Sequence, residues 1–115
     1  MAQRIYKIVS SEAWSAALVN GAFAGAPIDE ADGFIHLSTA GQVRETAARH
    51  FARQASLLLI AFDPEAFGSA LRWEISRGGA LFPHLYAPLD VALALSTDAL
   101  PLDRDRKHIF PPGIP

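Results

Sequence analysis

The sequence predicts an α+β fold, and three observations carry that prediction. Strand-like alternation recurs over Asp32–Thr39, Leu71–Ile75 and Phe82–Tyr86. Two helix-period segments separate the first three predicted strands, so the order reads β-α-β-α-β followed by further strands. Half of the 115 residues are hydrophobic, enough for one packed core and too few residues for two, so residues 1–115 are expected to form a single domain.

Arg4 to Val9 reads as a first strand, dense in β-branched and aromatic residues. Ser10 or Ser11 caps a helix to about Asn20, with Trp14, Ala17, Leu18 and Gly21 on one face. Gly21 to Asp32 reads as a loop, broken by Gly25 and Pro27. The strand Asp32–Thr39 places Phe34, His36 and Ser38 on one face and Ile35 and Leu37 on the other. Thr39 and Gln42 form a capping box for a second helix to about Ala52, with Val43, Ala47 and Phe51 buried. Ser56 to Phe62 is a continuous apolar run, as expected of a strand covered on both faces. Asp63-Pro64 starts a helical turn. The next strand turns Leu71, Trp73 and Ile75 to one side and Arg72 and Glu74 to the other. A Gly78-Gly79 turn leads to Phe82–Tyr86, where Pro83 argues for an edge or a loop. A last strand is expected near Asp90 to Leu95, before an extended tail with mixed charges.

Composition narrows the function classes. The net charge is −2 and the chain has no cysteine, so disulfides, thiolate catalysis and cysteine-ligated zinc are excluded. Arg44, Arg49 and Arg53 project at different angles around the second helix, and the tail bases alternate with Asp103 and Asp105. Neither forms a phosphate track, and no nucleic-acid partner is expected. No apolar stretch approaches the roughly 20 residues of a membrane span, and Met1–Arg4 leads into a strand without a signal-like apolar run. A soluble, cytoplasmic protein with no membrane partner is the expectation.

The candidate site residues share the polar faces of three segments. His36 can donate, accept or transfer a proton near neutral pH, and Ser38 lies on its face. Glu74 follows a tryptophan in an apolar strand, where burial demands a partner such as Arg72. His84 and Tyr86 combine ring surfaces with polar tips. A metal held by His36, His84, Glu74 and Asp32 lacks any His-x-His or His-Glu-x-x-His spacing to support it, so no metal site is assigned. A catalytic cleft, a non-catalytic small-ligand module and an interaction domain with a buried polar network all remain open.

Tyr6-Lys7-Ile8, Asp32 through Thr39, Gln42-Val43, Arg72-Trp73-Glu74 and Phe82 through Tyr86 together resemble a bacterial family, domain-of-unknown-function family 952. The resemblance runs from Tyr6 to about Leu95 and carries no assigned activity. More distantly, Ile35-His36-Leu37-Ser38-Thr39 is similar to the His-x-His-Leu-Ser element of RNA 2′-phosphotransferases, which have the ADP-ribosyltransferase fold. That resemblance implies two small sheets with helices packed outside and a cleft between the sheets. The family's first-strand histidine falls at Lys7 here, and its glycine at Ile8. It further implies a small-molecule or nucleotide ligand, with NAD as a substrate and no certain cofactor. Glu74 and His36 would then be catalytic, and Lys7, Phe34, Ser38, Arg72, His84 and Tyr86 would bind the ligand.

Overall fold

The computed structural model describes residues 3–114. Its elements in chain order are β1 (Ile5–Ser10), α1 (Ser11–Asn20), β2 (Ala22–Phe23), α2 (Pro27–Asp32), β3 (Ile35–His36), β4 (Ser38–Thr39) and α3 (Val43–His50). There follow β5 (Leu57–Phe62), a 3-10 segment Pro64–Ala70, β6 (Leu71–Ile75), β7 (Leu81–Leu85), β8 (Leu89–Asp90) and β9 (Ser96–Ala99). The fold is α+β with small antiparallel sheets and few helices.

Among the described residues the strands form three sheets rather than two. A four-stranded sheet runs β4-β1-β5-β9, a three-stranded sheet runs β3-β7-β6, and β2 pairs with β8 as a short ribbon. β5 lies inside the larger sheet and is covered on both faces, which explains its unbroken apolar run. Ile60 and Phe62 pack into one core with Ile5, Val9, Trp14 and Leu85, whereas Leu57 and Leu59 pack into a second with Val43, Ala47 and Leu100. The first core joins α1 to the two larger sheets. Lys7 alternates in phase with Ile5 and Val9, so β1 carries a buried lysine toward the three-stranded sheet.

Several sequence expectations are corrected. The strand expected over Asp32–Thr39 is two short strands in different sheets, β3 against β7 and β4 against β1. The chain changes sheet at Leu37, so the alternation is split between two layers. The loop expected over 21–32 contains β2 and α2, with Pro27 at the start of α2 and Gly33 at its end in the left-handed region at φ 84°. α3 begins four residues after Thr39; only one half of the capping box forms, the Thr39 N–H donating to Gln42 Oε1 at 3.0 Å. The last strand lies at Ser96–Ala99 because Val91–Leu93 make a 3-10 turn. Leu18 is exposed on α1 instead of packing with Trp14 and Ala17; Trp73 and Ile75, on one side of β6 as expected, are exposed as well.

Pro83 occupies the middle of a central strand, which the sequence argues against. Its carbonyl accepts the Leu37 N–H at 3.1 Å. The reciprocal donor that proline lacks would have faced Leu37, where the chain leaves this sheet for β4. The missing hydrogen bond therefore falls at the end of a ladder.

Candidate functional site

A cavity of about 880 Å³, mostly apolar in lining, opens between the two larger sheets; Lys7, His36, Ser38, Thr46, Phe82 and His84 are among its lining residues. Its volume lies in the range of small-molecule sites, as does the mix of apolar wall with a few convergent polar groups.

Two hydrogen-bonded networks reach it, one through Lys7, Asp32 and His36 and the other through His84. The first centres on Asp29, which is 2 % exposed beside a Lys7 that is 5 % exposed. Lys7 Nζ donates to both Asp29 oxygens, at 3.2 and 3.1 Å, and to the His36 carbonyl at 2.9 Å. Asp29 also accepts the backbone N–H groups of Ala26 and His36, at 2.8 and 3.0 Å, and lies 2.6 Å from His36 Nδ1. Burial opposes ionisation of this carboxyl, but the His36 ring, the Lys7 charge and the two backbone donors outweigh it, holding Asp29 well below the usual range. Burial pushes the Lys7 ammonium below its ordinary value, opposed by Asp29. His36 Nε2 meets Asp32 Oδ2 at 2.9 Å. Both ring nitrogens thus face carboxylate oxygens.

The second network runs along the polar face of β6 and β7. Arg72 pairs with His84 and Glu74 with Phe82 across the ladder, which puts these side chains on one face. His84 Nδ1 lies 2.8 Å from Glu74 Oε1, and the Tyr86 hydroxyl donates to the same oxygen at 2.7 Å. Tyr86 first, and then His84, hold the Glu74 carboxyl below its ordinary value; the bond to Glu74 in turn raises the Tyr86 phenol. Glu74 thus bonds His84 and Tyr86, while the Arg72 guanidinium sits 4.8 Å from the Tyr86 ring centroid. With Nδ1 committed to a carboxylate, Nε2 is the remaining site of the His84 ring, and no described residue hydrogen-bonds it.

Phe34 joins the networks. Its ring stacks on His84 at 4.0 Å between centroids and lies 4.6 Å from His36 and 5.3 Å from Tyr86. The sequence-predicted residues Phe34, His36, Arg72, Glu74, His84 and Tyr86 are therefore assembled together. Lys7 is present but committed to an internal ion pair. Ser38 is buried, and its hydroxyl lies 3.0 Å from that of Thr46. Of these residues, Phe34, Arg72, Glu74 and Tyr86 stand beside the cavity lining and not in it. Sequence reasoning missed Asp29 as a site residue. The available signal was a lysine in phase with the apolar face of β1, which requires a buried carboxylate somewhere in the chain.

Among the described residues no group of three His, Asp or Glu side chains is placed to hold a metal ion. None of the described helices is long and apolar enough to cross a membrane.

Solved structures share this architecture. The X-ray crystal structure of protein CC0527 from Caulobacter crescentus is 50% identical, covers 92% of this chain and 93% of that one, and superposes with a TM-score of 0.89. The solution NMR structure of CC0527 is 51% identical over 90% of each chain, with a TM-score of 0.82. No curated protein matches the chain. The family model described as "Protein of unknown function (DUF952)" matches residues 8–97. The chain belongs to the DUF952 family.

Proposed function

We propose that the cleft binds a ribosyl or nucleotide compound, with NAD or ADP-ribose as the defining ligand class, and that the Glu74–His84 pair acts on it. One observation carries the reading: two imidazoles, each oriented by carboxylate, meet across a single phenylalanine ring beside a ligand-sized cavity. Rings held this way suit stacking against a planar base, and polar tips suit ribose hydroxyls. The fold reading that accompanies it is ADP-ribosyltransferase-like, with the cleft between two sheets.

In this reading Glu74 stabilises positive charge on a ribosyl carbon as its bond to the leaving nicotinamide breaks, the electron pair departing with the ring. Water adds to that carbon, and its proton passes to His84 Nε2, a nitrogen made available by the bond from Nδ1 to Glu74. His36, with both nitrogens engaged, positions the wall and contacts the ligand through its ring edge. Lys7 orders Asp29 and the His36 carbonyl, the role left to it by burial. Ser38 contacts the ligand from the opposite sheet, and Arg72 contributes charge through the Tyr86 ring.

Binding without turnover is a second reading, favoured by the internal compensation of Lys7, Asp29 and His36. Incubation of the full chain with millimolar NAD and ADP-ribose separates the two. Both ligands are expected to raise the melting temperature, by roughly 2.7 kcal/mol of stabilisation at a hundred times the dissociation constant. Nicotinamide release that disappears in Glu74→Gln supports the enzyme. A shift without release supports the binding module, and no shift from either compound rejects the ligand class.

A further inference from the structure

Strand β6 is the outer strand of the β3-β7-β6 sheet, so one row of its backbone groups faces away from β7. The register identifies that row. Pro83 turns its carbonyl toward Leu37 on the β3 side, so Phe82 and His84 turn their backbone groups toward β6. Their partners Glu74 and Arg72 turn inward to meet them. Trp73 and Ile75 therefore present N–H and C=O outward, and Leu71 its C=O, its N–H donating to the Gly68 carbonyl. The side chains along this edge are apolar and open: Trp73 is 45% exposed, Ile75 75%, and Leu81, opposite Ile75 on β7, 52%. The register is unbroken by a bulge, and the strand contains neither proline nor lysine. It thus lacks those devices by which soluble proteins blunt a free edge.

We propose that β6 pairs antiparallel with β6 of a second copy of this chain, about a two-fold axis at Trp73, joining the two three-stranded sheets into one. The charge pattern selects both occupant and register. Outward-facing residues must oppose outward-facing residues, which allows only registers differing by whole two-residue steps. Centred on Trp73, the pairing sets Arg72 opposite Glu74 of the second copy, and Glu74 opposite its Arg72. These are non-hydrogen-bonded positions, where Cα atoms approach to about 4.5 Å and side chains interact most. The neighbouring registers set Arg72 against Arg72 or Glu74 against Glu74, and like charges directly opposite are unfavourable. On the other face, Trp73 meets Trp73, and Ile75 meets Leu71, covering the exposed apolar edge. Such an isologous contact closes on itself and leaves no β6 edge free for further growth. Arg72 of the second copy would arrive beside Glu74, whose Oε2 is free of the bonds that Oε1 accepts.

Light scattering or sedimentation of the full chain tests this at concentrations on the order of 100 μM, where a micromolar dimer is filled. The expected mass is twice the 12.4 kDa of one chain. Arg72→Glu sets Glu against Glu and is expected to give the monomer mass. Trp73→Pro removes an outward N–H without touching the β6–β7 ladder, and is also expected to give the monomer. Mixing Arg72→Glu with Glu74→Arg makes the two edges complementary and is expected to restore the dimer as a heterodimer. A monomeric natural chain overturns the proposal, as does a dimer that persists in either Arg72→Glu or Trp73→Pro.

Discussion

Asp29 holds His36 at both ends: its Oδ1 lies 2.6 Å from the ring Nδ1 and accepts the His36 backbone N–H at 3.0 Å. The same carboxylate receives Lys7 from β1, so one side chain of α2 ties together two sheets. The cleft wall is therefore built on a buried ion pair, and its integrity depends on both members.

Asp29→Asn leaves Lys7 buried without its counter-charge. Breaking a buried pair costs about 3–5 kcal/mol, and the melting temperature should fall by on the order of 10 °C or more. Lys7→Met in the Asp29→Asn background should recover part of that loss. Urea unfolding of the single and double variants measures the coupling, and additive losses would deny it.

Both members of the pair give the same sign of pH dependence. Asp29 has a folded value below its unfolded value of about 3.9, so its contribution is present in full above that pH and is lost as pH falls from there through the lower folded value. Lys7 is lowered too, so the unfolded chain holds that proton more tightly, and stability attributable to it rises with pH toward about 10.4. Unfolding free energy measured across pH should show an acid limb that Asp29→Asn flattens and an alkaline rise that Lys7→Met removes.

Tyr86 donates to Glu74, which holds the phenol proton to a higher pH than usual. In a Tyr6→Phe background, ultraviolet titration should place Tyr86 above the ordinary tyrosine value of about 10. Glu74→Gln should bring it back down. Because Glu74 is half-exposed, the same substitution should change melting little while weakening any response to ADP-ribose. An unfolded Glu74→Gln protein would assign this carboxylate a structural role.

Phe34 is the ring shared by both networks. Phe34→Leu keeps an apolar side chain but loses the stack on His84, which should cost about 1 kcal/mol beyond buried area. Thermal melting reads that loss directly. A ligand response that survives Phe34→Leu undiminished would remove the ring from the site.

Much of this arrangement is legible in the chain itself. Period-2 alternation assigns Arg72, Glu74 and His84 to polar faces, and the structure places the three on one face of adjoining strands. Ser10 caps α1 as its residue type demands, accepting the Ala13 N–H at 3.1 Å, and the apolar run at β5 is covered on both sides. These outcomes follow from local rules: side-chain period, capping chemistry and the need to bury apolar surface. What local rules do not encode is which sheet a short strand joins. Leu37 reads as one position within a strand, yet there the chain passes from β7 to β1, because each two-residue strand gains its hydrogen bonds only from a distant partner. Nor can alternation tell a core face from an exposed one: it puts Trp73 and Ile75 on one side of β6, and only the fold leaves that side open at an edge. The pairing of Lys7 with Asp29 spans 22 positions. A buried charge requires a partner, but only the folded chain decides which carboxylate it is.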